Sequence, residues 1–321
     1  MLAKKEPFKV SDISGVVSAT GATTEGIFVG LPLTPRMMID KMSLEAVYDK
    51  LEGCTKIAED EGCKIIGLGA FTAVVGDGGA TVDRRTTLAV TTGNSYTVGT
   101  AIQGAMDAAE AIGIEVSKAT LAVVGATGSI GKTCARLMAP KFARSLVVGR
   151  DEQRTEELAR EIPGATATTD VTKLREADVV VTVTSADTAI IFPEHLKSGS
   201  VICDVSRPRD VSVRVARERK DVLVIEGGVV QVPGRIDFGF DFGFPPGCAY
   251  ACMSETMLLA LENRAESFTI GKDVTVDQVS EMDRLASKHG FKLSGFRSFE
   301  RAVSADKIER VREARKSLVT A

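Results

Sequence analysis

The chain has 321 residues, of which 44% are hydrophobic and 26% charged, and its formal net charge is −3. That length exceeds one ordinary compact domain, and the composition is that of a globular protein able to bury two cores. The near-neutral charge excludes a protein built mainly for nucleic acid, and no apolar run reaches the ~18–20 residues that a bilayer span requires.

The first residues, Met1-Leu2-Ala3-Lys4-Lys5-Glu6-Pro7, carry basic side chains with no apolar stretch behind them, so no signal peptide is expected and the expected compartment is the cytoplasm. Ser43 to Gly62 predicts an amphipathic helix, and Lys64 to Phe71 a strand that leads into the Gly-rich turn Gly76-Asp-Gly-Gly79. Thr97 to Ile112 is Ala-rich and predicts a helix. The middle of the chain then alternates. Strands are predicted at 119–125, 145–149, 177–185, 200–206 and 222–226, with helices from Lys132 and over Asp151 to Glu161 between them. β-Branched runs alternating with helices indicate parallel βαβ units covered on both faces. Further helices are predicted from Cys248 to Asn263 and from Val274 to His289.

The expected fold is α/β: a Rossmann-type doubly wound parallel sheet over 115–235, inserted in a second, smaller α/β domain made of 1–114 and 236–321 (a shikimate-dehydrogenase-like two-domain architecture). The six cysteines form no C-x-x-C pair and only two histidines are present, so no metal site is expected.

Gly125-Ala-Thr127-Gly128-Ser129-Ile130-Gly131 sits between a predicted strand and a predicted helix. Glycines there allow a tight turn, close approach of backbone amides to a pyrophosphate, and close helix packing, while the helix N-terminus offers free N–H groups. At the end of the next strand, an NAD site usually places an acidic residue to hold the ribose 2′-hydroxyl. Here Arg150 stands first, with Arg154 one helical turn on, which favours NADPH; a solvated arginine beside a capping Asp151 is the plainer alternative. Gly227 and Gly228 follow the last strand, where small residues let a nicotinamide approach the backbone. Cys252 lies early in a predicted helix whose dipole would favour thiolate, although Met253, Met257 and Leu258 around it also suit a simply packed cysteine.

Several separate blocks resemble the long-chain acyl-[acyl-carrier-protein] reductases of cyanobacteria, which make fatty aldehydes. They are Ser18-Ala-Thr-Gly21, Leu68-Gly-Ala-Phe-Thr72, Thr91-Thr-Gly-Asn94 with Thr97, Ala119 to Gly131, Glu226 to Val230, Tyr250 to Leu259, and His289-Gly-Phe291. The resemblance implies reduction of an acyl thioester, on acyl-carrier protein or acyl-CoA, through an acyl-enzyme on Cys252. Tyr250 and Glu255 stand near enough to be weighed as proton donors. Phe238-Gly-Phe-Asp-Phe-Gly-Phe244 could line an acyl channel, act as a lid, or form an edge strand. Pro245-Pro-Gly-Cys248 departs from the family. So does the tail from Ala305 to Ala321, in which Ile308, Val311 and Leu318 lie opposite Lys307, Arg310, Arg312, Arg315 and Lys316. Such a helix is either a docking face for an acidic carrier or a peripheral membrane contact, or a solvated end. Two other functions fit the same residues: a shikimate- or amino-acid-type dehydrogenase with no covalent step, to which Asp204 to Asp210 is equally suited, and a non-catalytic NADP-binding protein.

Overall fold

A computed structural model describes residues 4–241 and 243–319, with the side chains of Leu318 and Val319 left out. Phe242 of the aromatic segment, Met1 to Ala3 and the last two residues of the tail therefore lie outside the described residues, as does the side chain of Leu318. The chain divides into two units. The first comprises residues up to Tyr96 together with Val229–Lys292; the second comprises Thr97–Gly228 together with the residues from Leu293 onward.

In chain order the first unit opens with β1 (Phe8–Val17), β2 (Thr23–Gly30), α1 (Leu44–Asp60), β3 (Ile65–Gly67), α2 (Ala80–Arg85) and β4 (Ala89–Thr91). The division falls inside α3 (Asn94–Ala111). The second unit continues with β5 (Thr120–Val124), α4 (Ser129–Met138), β6 (Arg144–Val148), α5 (Glu152–Glu161), β7 (Ala165–Thr168), β8 (Val179–Thr182), β9 (Val201–Asp204), α6 (Val213–Glu218) and β10 (Leu223–Glu226). The chain then returns to the first unit through β11 (Val229–Gln231), β12 (Gly234–Asp237), β13 (Cys248–Tyr250), α7 (Ala251–Leu261) and α8 (Val276–His289), and finishes in the second with α9 (Ala305–Val319).

The second unit is built on a six-stranded sheet in the order β10-β9-β8-β5-β6-β7, with every pairing parallel. From β5 the chain moves outward to β6 and β7, then crosses back to β8 and continues to β10 on the other side. That reversal is the doubly wound arrangement, and ligands of such sheets lie beyond the strand ends where the order reverses, here between β5 and β8. One face is filled by Val124, Val180, Ile202, Val215 and Val222, nearly all fully buried, each contributing about 1.5–3 kcal/mol on leaving water. β7 was not expected from the sequence. Its Ala-Thr-Ala-Thr has no bulky apolar residue, and as an edge strand it is only half-buried.

The tail belongs to the second unit and not, as the sequence suggested, to the N-terminal one. Val311 is fully buried, and three of the five cations that would have formed a docking face donate into their own unit. Arg315 pairs with Asp178 at 3.0 Å, Arg312 Nε donates to the Ala111 carbonyl at 3.1 Å, and Lys307 Nζ donates to the carbonyls of Arg219 and Lys220 at 3.0 and 3.1 Å. Burial pulls the Lys307 ammonium down to about 8.

In the first unit, β12, β1 and β2 form an antiparallel sheet, β3 and β4 a short parallel pair, and β11 and β13 an antiparallel pair. β1 and β2 escape the sequence reading because bulges interrupt their alternation. The helix expected from Cys248 begins three residues later, since Cys248–Tyr250 pairs with Val229–Gln231 and only then turns into α7. α7 is apolar on nearly all sides, as a helix inside a core should be: Leu258 and Leu259 are fully buried beside Met282 and Leu285 of α8. No helix among the described residues is long and apolar enough to cross a membrane.

Candidate functional site

At the end of β5 the chain makes a turn held by two amides, Gly125 and Ala126, that both donate to the Val148 carbonyl, at 2.9 and 3.1 Å. Gly125 has φ +76°, and Gly128, the residue preceding α4, donates to the Gly125 carbonyl at 3.0 Å. A Cβ at Gly131 would lie 2.2 Å from that same carbonyl oxygen, so only glycine lets α4 sit this close to the turn. Thr127 and Ile130 are half-buried within the loop and first turn. Ser129 opens α4, and its hydroxyl is buried without a hydrogen-bond partner. An orphaned hydroxyl at a helix N-terminus, beside a turn whose Gly125 and Gly131 leave no room for a Cβ, fits a phosphate oxygen.

Asp151 is occupied as the cap of α5, accepting from the Arg154 amide at 3.0 Å. Arg150 is exposed, and Arg154 reaches across the glycine turn to the Thr127 carbonyl at 3.3 Å. Two cations and no spare carboxylate therefore stand at the end of β6. Gly227 and Gly228 are buried after β10, and a Cβ on Gly227 would come 2.8 Å from Val205 and 3.0 Å from Cys203. Beside them Glu226 Oε1 accepts from Arg209 at 2.8 Å and from the Glu300 amide at 3.1 Å, while Oε2 is buried and unpartnered. In the Asp204–Asp210 segment both carboxylates are buried: Asp210 accepts from Thr182 and Thr184 hydroxyls, both at 2.5 Å, and burial raises the Asp204 carboxyl to about 6.

Cys252 is the second residue of α7, half-buried, in the wall of a cavity of about 600 Å³ that lies wholly within the first unit. Nothing caps α7 through a side chain, so its first amides are free for the thiol. The nearby backbone N–H groups of Met253, of Cys252 itself and of Ala70, which holds a left-handed φ of 50°, favour the charged sulfur. The helix dipole does not, however, make a thiolate. Burial dominates and, with the charge of Glu255 one turn away, pushes the thiol up to about 11.

Glu255 acts as an acceptor in this arrangement. It is fully buried, and its four acceptor sites are filled by Thr91 (2.5 Å), Thr269 (2.7 Å), Ser95 (2.6 Å) and the Tyr96 amide (2.8 Å). The polar turn Thr91–Asn94 is thereby tied to α7. Gly93 completes the contact, since a Cβ there would lie 2.3 Å from Cys252 Cα. Tyr250 precedes α7 and stacks edge-on against Phe244 at 4.4 Å. The aromatic segment supplies packing: Phe238 is buried and Phe240 exposed, both against Phe28, and of these three only Phe28 lines the cavity. The blocks at Ser18 and His289 also meet. Ser18 Oγ is 2.7 Å from His289 Nδ1, both buried, and the other His289 nitrogen contacts the half-buried Glu262.

Residues 107–226 match the sequence pattern of the shikimate / quinate 5-dehydrogenase family. The aminotransferase PigE of a Serratia species is 32% identical over 306 residues, covering 91% of this chain; the chain spans about a third of that relative, 35% of its length. A long-chain acyl-[acyl-carrier-protein] reductase of Synechococcus elongatus is 28% identical over 300 residues, covering 89% of this chain and 87% of the relative. Among solved structures, the glutamyl-tRNA reductase of Methanopyrus kandleri aligns over 91% of this chain and 63% of its own at 19% identity, with a TM-score of 0.35. The shikimate dehydrogenase of Aquifex aeolicus aligns over 39% and 49% at 16% identity, with a TM-score of 0.32.

Proposed function

We propose that the protein is an NADPH-dependent reductase that converts a fatty acyl thioester, carried on acyl-carrier protein or coenzyme A, to the aldehyde through an acyl-enzyme on Cys252. The observation that carries this reading is the position of Cys252: half-buried at a helix N-terminus, in the wall of a largely apolar cavity of about 600 Å³. A thioester supplies both parts that such a site matches, an apolar chain for the cavity and an electrophilic carbon for the sulfur.

In the first step the Cys252 sulfur, having lost its proton, attacks the acyl carbon; the bond to the carrier sulfur breaks, and the carrier leaves as a thiol after taking up a proton. The N–H groups of Met253, Cys252 and Ala70 near the sulfur would be the donors for the charge that develops on the carbonyl oxygen in this step. The reduced nicotinamide supplies a hydride when bound. Cys252 then holds the carbon as a thiohemiacetal, whose C–S bond breaks to release the aldehyde and restore the thiol.

The dehydrogenase reading is favoured by the family match over residues 107–226, but those residues lie within the second unit and include neither Cys252 nor the cavity. The deciding assay supplies NADPH with a fatty acyl-CoA, an acyl-carrier thioester or shikimate. Aldehyde from either thioester supports the reductase; oxidation of shikimate with no aldehyde replaces it.

Two predictions concern the cofactor. Arg150→Ala with Arg154→Ala should raise the KM for NADPH by about 10–100-fold through loss of two charge-assisted contacts, with the NADH value moving by no more than about twofold. Equal effects on both cofactors would remove the 2′-phosphate assignment. Gly131→Ala places a methyl against the Gly125 carbonyl. Fluorescence titration should show NADPH binding weakened at least about tenfold, and wild-type affinity would mean that the phosphates lie elsewhere.

A further inference from the structure

The cavity beside Cys252 is bounded by main chain as well as by side chains. All of β3, and Thr24 to Val29 of β2 without a break, line it. A strand that turns one face to a cavity offers every second residue, so an unbroken run means that each strand turns an edge to it. β2 ends its sheet and β3 pairs only with β4; among the described residues no strand joins the two. Both strands lie in one layer. Phe28 and Ile65 pack into the cluster that holds Leu258 of α7, and Leu31 and Ile66 into the cluster that holds Leu51 of α1. The cavity is therefore an interruption between two open strand edges, with α7 on one face of the layer and α1 on the other.

Hydrogen bonds identify the atoms on the β3 edge. The Ala89 amide donates to the Lys64 carbonyl at 3.0 Å, and the Leu68 amide to the Thr91 carbonyl at 2.8 Å. In a parallel pair alternate residues serve the same neighbour, so Lys64, Ile66 and Leu68 face β4, while Ile65 and Gly67 present N–H and C=O to the cavity. Gly67 is exposed there. A plain alkyl chain filling the gap would take these groups from water and give them no partner, at a cost of about tenfold in affinity or more for each. A chain with peptide-like amides answers them in register, since alternate residues of any extended chain repeat at about 6.6 Å. A strand takes about 160 Å³ per residue, from spacings of ~4.8 Å and ~10 Å and a rise of ~3.3 Å. The cavity of about 600 Å³ thus admits roughly four residues' length.

We propose that the acyl groups this site prefers carry backbone-like amides: N-acylaminoacyl or short peptidyl thioesters, bound as an added strand between β2 and β3 and released as the amide-bearing aldehyde. The inference rests on the acyl-thioester reading above and selects among acyl groups. The main-chain edges supply the hydrogen bonds of strand addition. Leu51 of α1 and Met257 of α7 line the same cavity and offer apolar contact to side groups or to an N-acyl tail. An N-fatty-acyl group therefore keeps a place for its tail once its amide is paired.

The test compares CoA thioesters matched in chain length, with aldehyde quantified directly: butyrylglycyl against heptanoyl, and acetylglycylglycyl against octanoyl. A wholly apolar pocket prefers the alkyl member by about tenfold or more, because a buried amide without a partner is costly. Here the amide member should have a kcat/KM at least about tenfold higher. Replacing the glycyl N–H by oxygen, in butyryloxyacetyl-CoA, should cost about fivefold or more, since an edge carbonyl loses its donor. Ile65→Pro removes one cavity-facing N–H and breaks no bond to β4, as edge positions tolerate. It should lower kcat/KM for acetylglycylglycyl-CoA at least about fivefold more than for octanoyl-CoA; should it fail to fold, the wild-type comparisons decide. Preference for the alkyl members, equal values for the amide and its oxygen isostere, or equal losses in a folded Ile65→Pro would overturn the inference. No aldehyde from any of these thioesters would instead refute the reading on which it rests.

Discussion

Cys252→Ala is expected to reduce aldehyde formation on the order of 10³-fold or more, with NADPH affinity within about twofold of wild type. The split follows from where the parts lie: the thiol and cavity are in the first unit, and the glycine turn is in the second. Alanine at 252 keeps the contact with Gly93 and removes only the sulfur, so the fold should tolerate it. Because burial holds the wild-type thiol up at about 11, only a small fraction is thiolate at neutral pH. The single-turnover acylation rate should therefore climb with pH, by about tenfold per unit between pH 7 and 9, as the thiolate fraction rises. A flat profile would mean that a bound group removes the proton. Aldehyde formation by the alanine variant at the wild-type rate would remove the covalent step.

Glu255→Ala is expected to be the most destabilising single change in the first unit, by about 4 kcal/mol or more in denaturant unfolding. Three hydroxyls and one amide converge on this fully buried carboxylate, and each donor left unpaired costs about 1–3 kcal/mol. Glu255→Gln separates charge from shape. The hydroxyls of Thr91, Ser95 and Thr269 can rotate to accept from the new amide, whereas the Tyr96 N–H cannot. A cost of about 1–2 kcal/mol is expected. With the negative charge gone, the Cys252 thiol should titrate lower and alkylate faster at pH 8. Gln as stable as Glu, with an unaltered alkylation rate, would show that the carboxylate neither braces α7 nor bears on the thiol.

The parts of this molecule legible in its sequence are those written in local patterns. β5, β6, β8, β9 and β10 are runs of β-branched residues long enough to be read alone, and the glycine turn lies between a strand and a helix as expected. What was not legible depends on partners distant in the chain. Nothing near Cys248 shows that it pairs with Gln231 and so delays α7, and nothing near Val311 shows that the tail is buried in the second unit. The hydrogen bonding of Glu255 was not legible for the same reason. Its position one turn from Cys252 suggested an acid, but its four donors come from segments around 91–96 and 269. The thiol itself could be singled out only by resemblance. The sign of its titration depended on burial, which spacing along a helix does not reveal.

The most direct test of the covalent step is the intact mass of the protein after mixing with a fatty acyl-CoA in the absence of NADPH. Wild type is expected to gain the mass of one acyl group, with Cys252→Ala gaining none, and addition of NADPH should discharge the adduct as aldehyde. Wild type that stays unacylated with both acyl-CoA and acyl-carrier thioesters across chain lengths, or an adduct that survives in the alanine variant, would contradict the account.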